Sequence, residues 1–196
     1  MHPLTVTWAP TIYTDWGLRN FHRWIHAGHD NYLNTPNGKI HRLLTRLSVD
    51  SMLHPFQPFI LGQKTLAAKM AEKFNIPLIF YGENEMEYGN PVGDDSESNV
   101  KRSLFSIKKF TNEELFFGGI SLNNLINYFG LNKVDVRPYM PEDKKKIDKN
   151  KIEFHYLGYY LKWHPQSCYY YAVEHGNFEA SPERTSGSYS KYNSID

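Results

Sequence analysis

The sequence predicts an α/β protein with a doubly wound, mostly parallel sheet, and three observations lead there. Short apolar or β-branched runs alternate with amphipathic helical stretches. The connections between successive runs have helical length, which parallel strand pairing requires. The run Leu78-Ile79-Phe80-Tyr81 is apolar without alternation, as expected of a strand buried on both faces.

Leu4-Thr5-Val6-Thr7-Trp8, stopped by Ala9-Pro10, is the first predicted strand. Asp15 is placed to cap a helix in which Leu18, Phe21, Trp24 and Ile25 share one face, ending near Gly28. Asp30 to Leu33 reads as a short strand, closed by the turn residues Asn34-Thr35-Pro36-Asn37-Gly38. Ile40, Leu43, Leu44 and Leu47 mark a second helix, with His41, Arg42, Thr45 and Arg46 on its other faces. After the Pro55 to Pro58 break, Leu61, Thr65, Leu66, Met70 and Phe74 repeat with helical spacing up to Asn75-Ile76-Pro77, and the apolar strand follows.

From Gly82 to Ser103 the chain is polar and carries Gly and Pro, the signature of a long functional loop. This stretch divides an α/β part, 1–103, from its continuation in the same domain, 104–196, which is helical and ends in a tail. Thr111-Asn112-Glu113-Glu114 has capping-box spacing, and Ser121 opens a helix with Leu122, Leu125, Ile126 and Phe129 inward and Gly130 as its stop. Lys144-Lys145-Lys146, with Lys149 and Lys151, reads as a solvated helix face. Ile152 to Trp163 alternates loosely and is taken as a strand; Pro165 and Gly176 then fit the first position and the stop of a last helix. Phe178 to Asp196 has no periodicity.

Composition excludes several classes. Lys+Arg 22 against Asp+Glu 21 leaves a net charge of +1, so no global field draws a polyanion, and non-specific nucleic-acid binding is not expected. The single cysteine, Cys168, closes no intrachain disulfide and builds no thiolate zinc site; reducing, cytoplasmic surroundings fit it. The apolar runs fall short of the ~20 residues of a membrane helix, and Met1-His2-Pro3 opens nothing like a signal peptide. The aromatic content, Tyr 14, Phe 12 and Trp 4, suits ligand clefts and interfaces as well as packing.

Chemistry concentrates in Tyr81-Gly82-Glu83-Asn84-Glu85-Met86-Glu87-Tyr88-Gly89, directly after the apolar strand. In a doubly wound sheet ligands bind beyond the carboxyl ends of the strands. Glu83, Glu85 and Glu87 repel one another unless a cation or a hydrogen-bonding ligand offsets them, and magnesium on a nucleotide phosphate would do so. The carboxylates alone read as an acidic surface turn; the strand end and the flanking glycines turn that reading towards a site.

Pro58-Phe59-Ile60-Leu61-Gly62-Gln63-Lys64 reads as a loop entering a helix, where backbone N–H groups and Lys64 attract an anion, with a merely solvated lysine as the alternative. His41, Arg42 and Arg46 lie on one side of their helix and could hold a phosphate or carboxylate, although a solvated face is the better reading. His22 and His26 stand four apart, but residue 23 is Arg where the zinc-protease motif has Glu, so no metal is expected there. Cys168, between polar residues and Tyr169-Tyr170-Tyr171 on a helix read as buried, is taken as a packing thiol. Neither G-x-x-x-x-G-K-[ST] nor G-x-G-x-x-G occurs.

Val6-Thr7-Trp8-Ala9-Pro10, Tyr13-Thr14-Asp15-Trp16-Gly17, Pro36-Asn37-Gly38, His41-Arg42-Leu43-Leu44-Thr45-Arg46, His54-Pro55-Phe56-Gln57-Pro58-Phe59, Gly62-Gln63-Lys64 and Tyr81-Gly82-Glu83-Asn84-Glu85 together resemble the N-acetyl sugar amidotransferases. That family belongs to the PP-loop ATP pyrophosphatase superfamily, with an adenine nucleotide alpha hydrolase-like sheet, and acts in O-antigen and in pseudaminic or legionaminic acid biosynthesis. The resemblance runs through Tyr189-Ser190-Lys191-Tyr192-Asn193-Ser194-Ile195-Asp196.

The resemblance implies ATP-dependent conversion of a nucleotide-linked sugar's acetamido group into an acetamidino group. The amide oxygen attacks the α-phosphate, pyrophosphate leaves, and ammonia from a separate glutaminase subunit displaces AMP. It implies ATP and Mg2+ as cofactors. Thr7 and Trp8 would border the adenine, with Gly82 beside the nucleotide. Glu83, Asn84, Glu85 and Glu87 would face magnesium, pyrophosphate or the activated carbonyl. Gln63, Lys64 and Arg184, with His41, Arg42 and Arg46, are candidates for the phosphates or the sugar.

Family members also carry an N-terminal cysteine-rich segment, where zinc would bind, then a first strand and a Ser-Gly-Gly-Lys-Asp-Ser phosphate loop. Neither motif occurs in these residues, so the sequence is expected to be an internal piece starting at the family's second strand. A doubly wound sheet lacking its first strand exposes unpaired edges, and each buried unpaired backbone group costs about 1–3 kcal/mol. The isolated chain is therefore expected to be marginal, aggregation-prone and inactive.

Overall fold

A computed structural model describes residues 2–82, 106–107, 113–162, 164–185 and 189–192. The chain divides into two compact units, one joining Met1–Leu33 with Leu161–Asp196 and the other running Asn34–Tyr160.

In the first unit, β1 (Leu4–Trp8) pairs with β2 (Asp30–Asn34), and α1 (Asp15–His26) lies between them in sequence. Thr14, rather than Asp15, caps α1: its hydroxyl accepts from Gly17 N at 2.9 Å, which leaves Asp15 in the first turn, where its charge suits the helix dipole. The last helix of the chain, Pro165–Gly176, opens on Pro165 as expected, but its left-handed cap is Asn177, one residue beyond Gly176. No residue of that helix is buried and Cys168 is exposed, which corrects the packing-thiol reading. The segment after it is held to α1 through Glu179, whose backbone N–H donates to Asn20 Oδ1 at 2.9 Å and whose carboxylate meets Arg23 at 2.9 Å and Arg19 at 3.2 Å.

The second unit begins with α2 (Gly38–Met52), capped by the Asn37 side chain, which accepts from Lys39 N at 3.0 Å. Leu44 and Leu47 turn inward. Next comes α3 (Gln57–Phe74), with Pro58 in its first turn, followed by β3 (Leu78–Tyr81). Beyond β4 (Ser106–Ile107), Glu113 and Glu114 lie in a turn that leads to β5 (Phe116–Phe117). Thr111 and Asn112 lie outside the described residues, and at Glu113 and Glu114 the chain turns into a hairpin.

That hairpin, β5 with β6 (Ile120–Ser121), turns on Gly118 and Gly119 at φ 61 and 75, the double left-handed turn that suits antiparallel strand twist. It sits tightly on α2 and the first residue of α3: Gly118 N donates to Gln57 Oε1 of α3 at 3.0 Å, Ser51 Oγ of α2 donates to Gly118 O at 2.7 Å, and a β-carbon on Gly118 would stand 2.6 Å from the Leu44 carbonyl of α2. Gly118→Ala therefore combines a left-handed penalty of about 1–2 kcal/mol with a clash against helix backbone. A fall in the midpoint of urea unfolding is expected, and an unchanged midpoint would contradict this packing.

Then follow α4 (Leu122–Phe129), capped by Ser121 and stopped by left-handed Gly130 as the sequence predicts, and α5 (Lys133–Val136), whose Asn132–Asp135 capping box is the one the structure uses here. After the 3-10 turn Arg137–Tyr139 come β7 (Glu142–Asp143), α6 (Lys144–Lys149) and β8 (Glu153–Tyr156); the last helix, Pro165–Gly176, is α7. β8 is shorter than the strand expected over Ile152 to Trp163, because the chain turns into a 3-10 segment at Leu157–Tyr159. The lysine run forms α6, whose Lys146 bridges Glu72 at 3.4 Å and Glu142 at 3.3 Å.

Among the described residues the strands associate in pairs: β1 with β2, β3 with β8, β4 with β7 and β5 with β6. β3–β8 and β4–β7 are parallel, so the chain is mixed α/β with short parallel sheets. Among the described residues the β3–β8 pair is covered on one face only. Ile79 and Phe154 are buried in a core with Ala68 and Ala71 of α3, Ile147 of α6 and Ile152, and Tyr81 and Tyr156 pack against it. Leu78 and Phe80 point the other way, 39% and 49% exposed, contrary to the expectation of a strand buried on both sides. Among the described residues no helix is long and apolar enough to cross a membrane.

Candidate functional site

The carboxyl ends of the parallel pair β3–β8 are the best-formed candidate. Tyr81 and Tyr156 stand opposite one another at the last register position, their rings 6.2 Å apart. Tyr81 Oη donates to the Lys64 carbonyl at 2.8 Å, which ties this strand end to the second turn of α3. Burial, with a smaller push from Tyr156, drives the Tyr81 phenol well above the usual tyrosine range. Tyr81 is therefore a neutral hydrogen-bond donor at physiological pH. The Lys64 ammonium is half-buried and held below the usual lysine range by desolvation. A β-carbon at Gly82, next along the chain, would meet nothing within 4 Å among the described residues.

The hydrogen bond from the Tyr81 hydroxyl ties the Lys64 backbone to Tyr81, the last residue of β3, at the end where doubly wound sheets hold their ligands. The anion-binding loop expected over Pro58 to Lys64 is, however, helix: α3 starts at Gln57, with Pro58 setting its first turn, so Gln63 and Lys64 lie past the unpaired N–H groups. Gln63 is exposed beside Lys64. Glu83, Asn84, Glu85 and Glu87 lie outside the described residues.

Neither a protein-family model nor a curated protein sequence matches this chain.

The remaining expected residues are distributed as follows. Thr7 and Trp8 are in the first unit, on β1; Thr7 Oγ1 accepts from Asn31 Nδ2 at 3.1 Å, and Trp8 is buried. Arg184 is exposed in the same unit. In the second unit, Arg42 and Arg46 are exposed on α2, while His41 turns inward to Tyr139, with Nδ1 3.0 Å from the phenol oxygen and the rings stacked at 5.9 Å. Burial lowers the His41 pKa. The structure therefore ties the backbone of Lys64 to the strand end that Gly82 follows, and separates His41 from the arginines by facing.

Two groups escaped the sequence reading. Lys69 donates to the carbonyls of Pro138 at 2.7 Å and Arg137 at 2.9 Å, and burial lowers its pKa to about 8 against a smaller opposing pull from Glu142. It anchors the 3-10 turn that carries Tyr139. Its four-residue spacing from Thr65, whose hydroxyl also reaches Pro138 O at 3.1 Å, was the available signal. The second group is Glu153, His155 and Tyr160, on the uncovered face of β3–β8. The alternation of Glu153 and His155 along one strand placed both on one face, but nothing in the sequence showed Tyr160 folding back onto them.

Proposed function

We propose that this chain is part of an ATP-dependent N-acetyl sugar amidotransferase of the PP-loop type, working in the cytoplasm with a glutaminase subunit that supplies ammonia. In this reading β3 and β8 are neighbouring strands of a doubly wound, adenine nucleotide alpha hydrolase-like sheet. The single observation that supports it is the parallel pair whose carboxyl end, at Tyr81, is tied to the backbone of Lys64 and is followed by Gly82 and an acidic segment. Crevices at such ends take nucleotides and other phosphate-bearing ligands.

Lys64 and Gln63 would meet phosphate, and Gly82 would let the ligand approach the backbone. Glu83, Asn84, Glu85 and Glu87 would hold Mg2+ and orient the activated amide; Arg42 and Arg46 would contact the sugar nucleotide. Adenylation makes the acetamido oxygen a leaving group, which an amide oxygen otherwise is not, and ammonia then completes the exchange.

A second reading, a sugar-nucleotide-binding module without chemistry, is favoured by one sequence fact: no phosphate loop occurs within these residues. Calorimetric titration with Mg-ATP and with a UDP-linked N-acetyl sugar distinguishes the two. Binding of both ligands, each weakened at least threefold by Lys64→Ala, supports the amidotransferase. Binding of the sugar nucleotide alone selects the module, and binding of neither overturns both.

A further inference from the structure

On the uncovered face of β3–β8 the register sets Leu78 opposite Glu153 and Phe80 opposite His155. His155 Nε2 lies 3.3 Å from Glu153 Oε2, and its other ring nitrogen, Nδ1, lies 2.6 Å from the hydroxyl of Tyr160. A carboxylate accepts and does not donate, so the proton between Glu153 and the imidazole belongs on Nε2. Nδ1 then presents its lone pair, and Tyr160 donates to it. This is the order of a nucleophile–base–carboxylate relay: a hydroxyl, an imidazole that takes its proton, and a carboxylate that fixes the tautomer and stabilises the imidazolium.

The surroundings fit an apolar electrophile. The Phe80 ring stands 5.8 Å from the His155 ring and 5.7 Å, edge-on, from the Tyr160 ring, so the three form one aromatic cluster. The His155 side chain is only 13% exposed, whereas Tyr160 is 53% exposed and so open to a reagent while its base is sheltered. Leu78, 39% exposed, extends the apolar surface along the same strand face. The Tyr81 and Lys64 contacts lie on the opposite face, so this group is separate from the nucleotide reading and does not depend on it.

We propose that Tyr160, His155 and Glu153 form an acyl-accepting site for activated esters with an apolar acyl group. Tyr160 Oη attacks the ester carbonyl carbon while its proton passes to His155 Nδ1. The tetrahedral intermediate collapses, the C–O bond to the alcohol or phenol breaks, and the proton on Nδ1 goes to that leaving oxygen, giving an O-acyl-tyrosine. His155 is the general base, and Glu153 is a positioning residue that acts through it.

The probe is 4-nitrophenyl butyrate, with nitrophenol release followed by absorbance and acylated tyrosines located by peptide mass. Acylation of Tyr160 is expected to run at least tenfold faster than that of Tyr189, although Tyr189 is 96% exposed; general-base assistance contributes roughly 10²–10⁴-fold. His155→Gln, which keeps hydrogen-bonding atoms but removes the base, is expected to bring Tyr160 down to the Tyr189 rate and leave Tyr189 unchanged. Among the described residues, the titratable groups facing His155 are Glu153 on its own strand and Tyr160 beyond the turn, while β3 offers the Phe80 ring. Glu153→Gln is expected to slow acylation of Tyr160 and leave Tyr189 unchanged, and Glu153→Asp to restore part of the Tyr160 rate, a rescue that loosened packing alone would not produce. Labelling that follows exposure, with Tyr189 ahead of Tyr160 in the unsubstituted protein, overturns the proposal, as does a Tyr160 rate indifferent to His155→Gln.

Discussion

Truncation of Phe154 to alanine is expected to destabilise the chain by about 3–5 kcal/mol, the usual cost of removing a large aromatic side chain from a core. Phe154 is fully buried, inside the cluster that joins β3 and β8 to α3 and α6. Against a total stability of ~5–15 kcal/mol, such a loss moves the urea midpoint far down or leaves the chain unfolded in buffer. The control is one strand away. Phe80→Ala removes the same ring from the face where Phe80 is 49% exposed, and its expected cost is below about 1 kcal/mol. The pair of variants reads out the sidedness of the sheet directly, by equilibrium unfolding followed through circular dichroism. Equal losses from both would mean that the outer face is covered, and the one-sided architecture would fail.

That sidedness is also where sequence reasoning stopped short. Leu78-Ile79-Phe80-Tyr81 has no alternation, and apolar residues on both faces normally mean cover on both faces. Nothing in the four residues tells an apolar face under helices from an apolar face in water, because hydrophobicity records the cost of exposure and not whether it is met. Helices were more legible, since their end signals are local. Asn37, Ser121, Gly130 and Pro165 take the terminal positions their chemistry suits, and Thr14 displaced Asp15 only because both can cap and stand side by side. The strands β5 and β6 went unread because two-residue strands carry no periodicity; the Gly118-Gly119 pair was their one signal. For the candidate site, position along the chain showed that Gly82 follows a strand. It did not show that Tyr81 reaches the Lys64 carbonyl, that Lys69 grips the carbonyls of Arg137 and Pro138, or that His155 meets Tyr160. Each of those depends on how separate elements are set against one another, which single-sequence patterns do not encode.

Stability is expected to rise between pH 8 and about pH 10 and then fall, and buried lysines and tyrosines account for the two limbs. Lys69 titrates at about 8 in the folded chain against 10.5 when unfolded, chiefly because burial disfavours its charge. Below pH 8 both states carry the proton and the cost of the buried charge is fully present. From pH 8 to 10.5 the unfolded chain holds a proton that the folded chain has released, so stability climbs with pH. At 1.36 kcal/mol per pH unit, the shift sets an upper bound of about 3 kcal/mol on that gain. Lys64, lowered by burial too, acts in the same sense. Tyr81 and Tyr139 act oppositely: burial raises both well above their unfolded value of 10.0, so above pH 10 the unfolded phenols ionise while the folded ones hold their protons, and stability falls. Lys146, raised by Glu142 and Glu72, steepens that fall. At the acid end His41, lowered by burial, charges more readily unfolded than folded, and stability drops as pH falls through 6.5. Lys69→Met is expected to flatten the rise above pH 8 and spare the fall above pH 10. A wild-type curve that is flat or declining from pH 8 to 10, measured by urea unfolding at half-unit steps, would show that Lys69 keeps its ordinary proton affinity and is not buried as described.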